Sequence, residues 1–144
     1  MAKIDWKKLI LLGILILASF LRLWRLDQVP VSLFGDELDV GYQAYSILKT
    51  GKDYSGNFLP LHFQSLAEWR TPLYLYSAVP TVAVFGITPW GVRLPAAIFG
   101  ILGVCVFYLL VKEITSVKGR PSSGRGNSLA LLAAFLLAIS PWHI

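Results

Sequence analysis

Charged residues are scarce in this chain: they make up 15% of its 144 residues, against 56% hydrophobic. A soluble domain carries about 25% charged residues, so the composition is that of a membrane protein. Cysteine is nearly absent. Cys105 stands alone, which excludes a disulfide within the chain and leaves a small packed hydrophobe inside an apolar run. A cleavage site is also missing. Lys3, Lys7 and Lys8 precede an apolar stretch, as in a signal peptide, but Phe20-Leu21-Arg22-Leu23-Trp24-Arg25 then follows, bulky and basic. The expectation is an uncleaved anchor. Acidic and basic side chains are missing from the apolar runs 9–21, 94–111 and 128–142. A transporter needs such groups near the bilayer midplane, so that class is disfavoured. The net charge of +5 is no nucleic-acid signature, because the basic residues sit beside apolar runs as topology signals do.

What is present is mostly hydrocarbon. The apolar runs lead us to expect an all-α integral membrane protein with spans at about 8–26, 94–112 and 128–141. Eighteen residues of helix cover roughly 27 Å, about one hydrocarbon thickness. Arg22 and Arg25 can then snorkel to the interface beside Trp24, and the lysines before the first span place the N-terminus in the cytoplasm. Residues 27–92 form a large outer loop and 113–127 a cytoplasmic one. The segment Leu73–Ile87 is short and interrupted by Pro80, which removes a helix hydrogen bond. It reads as re-entrant or interfacial rather than spanning. If it did span, the basic loop with Lys112, Lys118, Arg120 and Arg125 would fall outside, against the positive-inside rule. Pro121-Ser122-Ser123-Gly124-Arg125-Gly126 then forms a flexible cytoplasmic turn. Ile144 follows the last apolar run with no closing polar tail, so the chain is expected to be the N-terminal part of a longer protein.

Inside the outer loop, Asp36 or Glu37 begins a helix that runs to Thr50. Leu38, Gly41, Tyr45 and Leu48 form its stripe, and Gly51 is its stop. Lys52 to Pro60 reads as a loop, and Phe63 to Trp69 as a short interfacial helix.

The chemistry concentrates in Leu33-Phe34-Gly35-Asp36-Glu37-Leu38-Asp39, three carboxylates within four residues. Acids held at a membrane face handle an ion, a proton or a charged head group. Asp36 reads either as a helix cap or as a catalytic carboxylate, and the two roles are compatible. On a helix Asp36 and Asp39, at i and i+3, form the closer pair, while Glu37 points elsewhere. Arg70, before Thr71-Pro72-Leu73-Tyr74, is either an interface anchor or a grip for a phosphate. Arg93, before Leu94-Pro95, reads first as a snorkelling anchor. His143 is more often a satisfied polar residue than a base or ligand.

Four stretches in this order resemble the start of the GT-C superfamily of membrane glycosyltransferases. The nearest likeness is to bacterial proteins related to protein O-mannosyltransferases and aminoarabinose transferases. Phe34-Gly35-Asp36-Glu37 resembles the family's Asp-Glu motif, and Arg70-Thr71-Pro72-Leu73-Tyr74 its basic-Pro-Pro-Leu-Tyr motif. Val92-Arg93-Leu94-Pro95 resembles the opening of the next span, and Ala133 to Ile144 the helix that ends in Ser-Pro. The sequence departs from the pattern at Arg70, where many members have Lys, and at Thr71, which replaces a Pro.

The resemblance implies a GT-C helical bundle in the cytoplasmic membrane. It implies a sugar donor linked to polyprenyl phosphate, and an acceptor lipid, glycan or protein on the outer face. Asp36, with Glu37 beside it, would be catalytic, either as base on the acceptor or as a holder of a divalent cation. Arg70 would contact the donor phosphate, with Asp39, Arg93 and His143 in secondary places. A second catalytic acid would lie beyond Ile144. The competing expectation is a non-catalytic membrane subunit or scaffold.

Overall fold

The computed structural model describes residues 6–65, 68–115 and 124–140. The chain is mostly helical. Its elements are α1 (Trp6–Leu23), α2 (Gly35–Thr50), β1 (Phe63–Ser65), β2 (Glu68–Arg70), α3 (Pro72–Phe85), α4 (Pro89–Thr115) and α5 (Gly124–Ala138). Among the described residues one helix, α4, is long and apolar enough to cross a membrane. Two compact units result. One comprises residues Arg25–Ala96, and the other combines α1, α5 and the part of α4 from Ala97 onward.

The second of these units is built on small residues. Ala130, Ala134 and Ala138 recur every fourth position along α5 and are fully buried with Ala18 of α1. Ile14, Val104, Tyr108 and Leu131 complete the core. Alanine at such spacing lets helix backbones approach closely. Arg22 corrects the expectation of a snorkelling side chain, because it is only 4% exposed. Its Nη1 donates to the carbonyl of Ala138 at 3.1 Å, and its Nη2 to that of Leu137 at 3.3 Å. These are last-turn carbonyls of α5, of which that of Leu137 also accepts from the Ser140 N–H at 3.3 Å, and a cation there meets the negative end of the helix dipole. Gly100 makes the room: a Cβ at that position would lie 2.7 Å from Arg22 Nε.

The unit Arg25–Ala96 packs α2 against α3. Its core holds Val40, Ala44, Ile47, Phe63, Leu75, Ala78, Val82 and Val92. Gly41 lies against Ile87 and Val92, where a Cβ would meet Ile87 Cγ2 at 2.6 Å. The expected stripe of α2 is thereby corrected. Gly41 belongs to the buried face, but Val40, Gln43, Ala44 and Ile47 form the rest of it, while Leu38, Tyr45 and Leu48 are exposed. α2 begins at Gly35 rather than at Asp36 or Glu37, and Phe34, not Asp36, is its cap residue. Phe34 has no side-chain acceptor. Glu37 instead reaches back, accepting from the Phe34 N–H at 3.0 Å, which is half of a capping box. The helix stops as expected, at Gly51 with φ of 70°.

Phe63 to Trp69 is not a helix. β1 and β2 pair antiparallel, with Phe63 opposite Arg70 and Gln64 opposite Trp69. Phe63 and Ser65 point into the core and Gln64 outward. The hairpin is braced by Gln43, which donates to the Gln64 carbonyl at 3.1 Å and accepts from the Tyr54 N–H. The Tyr54 hydroxyl donates to the same carbonyl at 2.6 Å. The expected outer loop 27–92 is thus a folded body, and the all-helical expectation yields to a mostly helical one.

α3 starts with Pro72 in its first turn, where a missing N–H does no harm, and it continues through Pro80. α4 begins five residues before the expected Leu94. Thr88 caps it, with its Oγ1 accepting from the Gly91 N–H at 3.3 Å, and Pro89 opens its first turn. At the other end α4 runs to Thr115 and α5 is already helical at Gly124. This corrects the expected boundaries 112 and 128 and the expected turn at 124–126. The rest of that turn, residues 121–123, and Lys118 and Arg120 of the same expected loop lie outside the described residues.

Candidate functional site

The three carboxylates of the α2 N-terminus divide between two arginines. Arg93 Nε donates to Glu37 Oε1 at 2.7 Å and Arg93 Nη2 to Glu37 Oε2 at 2.9 Å. The same guanidinium reaches the carbonyls of Leu26, Pro30 and Ser32, each at 3.0 Å. Arg93 is therefore buried and ties the segment 26–37 to the first turn of α4. The expectation that it snorkels outward is corrected. The bonds from Arg93 hold the Glu37 carboxyl below the usual carboxylate range, against the opposing effect of partial burial. A carboxylate gripped at both oxygens orients a helix terminus, and it has little freedom to take up a proton from a substrate.

Arg70, at the end of β2, gathers the other acids. Its Nη2 donates to Asp36 Oδ1 at 2.6 Å and to Glu68 Oε1 at 3.1 Å. Its Nη1 donates to the Asp36 carbonyl at 3.2 Å and lies 3.5 Å from Asp39 Oδ2. Asp36 and Asp39 thus meet on one cation, as their i, i+3 spacing implies, and Glu37 does not join them. Burial lowers the Arg70 pKa, but the bond to Asp36 and the nearby Asp39 and Glu68 outweigh it and raise it. The exposures differ sharply: Asp36 71%, Glu68 66%, Arg70 18%, Asp39 14%. The two exposed acids form pairs of small net worth, about 0–1 kcal/mol each. Either one can give up its place to another anion at little cost.

Glu68, Trp69, Arg70, Thr71, Tyr74 and Leu75 line a cleft of about 330 Å3. Tyr74 is fixed by its hydroxyl, which donates to the Val92 carbonyl at 2.7 Å. Arg70 Nε is buried and has no acceptor among the described residues. Glu68 and Trp69 are the members of this site that inspection of the sequence passes over. Their signal was adjacency to Arg70, which becomes meaningful only once the strand is known.

Among the described residues no group of three Asp, Glu, His or Cys side chains is arranged to hold a metal ion. Asp36 faces a guanidinium, so its neighbours do not fit the role of metal holder. His143 lies outside the described residues.

No family model matches the chain, and no curated protein or solved structure matches it either.

Proposed function

We propose that this chain is part of a membrane glycosyltransferase of the GT-C type. It takes a sugar from a polyprenyl-phosphate donor and passes it to a lipid, glycan or protein acceptor. The reaction takes place on the outer face of the cytoplasmic membrane, with the N-terminus inside and several spans crossing the bilayer. One observation carries this reading. Asp36 and Arg70, the residues that the family resemblance assigns to base and phosphate contact, are 34 positions apart and joined at 2.6 Å, with Arg70 lining a cleft.

The chemistry suits this pair. An acceptor hydroxyl oxygen attacks the anomeric carbon while the bond from that carbon to the phosphate oxygen breaks. The bonding pair leaves on the phosphate, and the hydroxyl proton passes to the Asp36 carboxylate. Arg70 exchanges an exposed carboxylate for the phosphate, whose growing charge it then meets with two parallel donors. The length and composition of α4 support a membrane setting. So do the exposed Leu12, Ile16, Leu102, Val106, Leu132 and Leu136 of the three helices, since many large apolar side chains left bare mark a protein or membrane contact.

A second reading is a non-catalytic membrane scaffold. It is favoured by the fact that Arg70 and Arg93 already have acidic partners within the chain. Binding of a radiolabelled polyprenyl-phosphate sugar separates the two. A donor-binding protein retains the label and loses it in Arg70→Ala. A scaffold shows no saturable binding in either form.

A further inference from the structure

We infer that Trp69 is the platform on which the donor's sugar ring stacks, with Glu68 beside it as acceptor for sugar hydroxyls. This inference rests on the glycosyltransferase reading and assigns the sugar subsite within the same cleft.

Trp69 is 68% exposed yet lines the cleft beside Arg70. Trp24, Phe34 and Phe58 are about as bare, and what sets Trp69 apart is its place in the lining of the cleft. Among the described residues the ring contacts in this unit are Phe63 with Tyr76 and Phe85 with Trp90, and Trp69 takes no part in them. It lies opposite Gln64 in the hairpin, whose carbonyl receives both Gln43 and Tyr54. An exposed ring on a braced strand is already positioned for a ligand.

The neighbouring groups decide what kind of ligand. One face of a pyranose carries C–H bonds polarised by adjacent oxygens, and these suit the negative face of an indole. The hydroxyls at the sugar's edge need acceptors and donors. Glu68 supplies carboxylate oxygens, and Thr71, which makes no side-chain bond to its helix, supplies a hydroxyl. Arg70, next in sequence, receives the phosphate. Glu68 and Arg70 share one face of β2, joined at 3.1 Å, and Trp69 lines the same cleft as both. A cleft of about 330 Å3 lies at the small end of the range for ligand sites, about 300–1,000 Å3. It accommodates a sugar phosphate and leaves the isoprenoid tail outside.

The test compares two affinities of the full chain in lipid nanodiscs. One is for a bare short-chain polyprenyl phosphate. The other is for the same lipid phosphate carrying mannose, glucose, galactose or arabinose. At least one sugar should tighten binding relative to the bare lipid. Trp69→Ala should remove that increment, a loss of roughly threefold to tenfold, and leave the bare lipid phosphate bound as before. Trp69→Phe should restore part of it. Arg70→Ala should weaken both ligands together.

Equal weakening of both ligands by Trp69→Ala would show a bilayer anchor and overturn the assignment. So would the absence of an increment with every sugar. If neither ligand binds the unmodified chain, the glycosyltransferase reading itself fails.

Discussion

Arg93 holds Glu37 at both carboxylate oxygens, 2.7 and 2.9 Å away, across 56 positions of sequence. The pair locks the segment before α2 onto the start of α4. Removing one member of a buried, bonded ion pair costs about 3–5 kcal/mol. Because Glu37 is partly exposed, Glu37→Ala is expected at the lower end. Chemical unfolding in detergent, followed by circular dichroism, measures the loss. Arg93→Lys should be nearly as damaging, since an ammonium cannot reproduce the fork that meets Glu37 and three carbonyls at once.

The same pair makes stability depend on acid. The Glu37 carboxyl titrates below its ordinary value of 4.5 when the chain is folded, so the ionised form favours the fold. Its contribution is complete above that value and is lost as pH falls through the lower, folded value. Melting temperature should therefore drop more steeply below about pH 4.5 in the wild type than in Glu37→Gln. Parallel acid profiles would contradict the role given to this residue.

Gly100 and Arg22 provide a test in the other unit. Gly100→Ala places a methyl 2.7 Å from Arg22 Nε, while the guanidinium is held on its other side by carbonyls of α5. The expected cost is about 1–3 kcal/mol. Arg22→Ala removes the clamp and should cost about 2 kcal/mol. In the double variant the penalties should not add, because the methyl meets nothing once the guanidinium is gone. A double-variant cycle that sums without coupling would refute the contact.

Gly91 is constrained by backbone rather than by a side chain. A Cβ there collides with the carbonyl oxygen of Gly86, which cannot turn aside as a rotamer can. Gly91→Ala is expected to cost about 3 kcal/mol, read as a lowered melting temperature. Gly103→Ala serves as control, since a Cβ at that position meets nothing within 4 Å.

Asp36 is exposed and its loss should spare the fold. Asp36→Asn is expected to abolish sugar transfer in membranes that carry the active enzyme, while expression and melting temperature stay near wild type. Turnover close to wild type in this variant would remove Asp36 from the chemistry.

Much of the helical layout was legible in the chain. The runs 9–21 and 94–111 fall within helices and residues 128–138 of the third run lie in α5, and Gly51 marks the end of α2 because only a left-handed residue closes that turn. Boundaries moved where local caps outweighed hydropathy, as at Thr88-Pro89, whose capping geometry starts α4 ahead of its apolar run. The hairpin was hidden because β1 buries a serine beside a phenylalanine, so its alternation does not read as apolar and polar. The meeting of Asp36 and Asp39 follows from helix geometry, while their convergence on Arg70 depends on the hairpin, which brings residue 70 back to the start of α2. The bond from Arg93 to Glu37 had no such signal, since a charge at a helix start looks the same whether it faces solvent or a distant acid.

Arg22 and the Ala138 carbonyl that receives it are separated by 116 positions. During synthesis the cation emerges long before its acceptors exist. For that interval the guanidinium has only the Ala18 carbonyl of its own helix, and the completion of α5 adds the other two. The order of translation thus writes a dependency into this unit: its first helix reaches its final bonding only when its last one arrives.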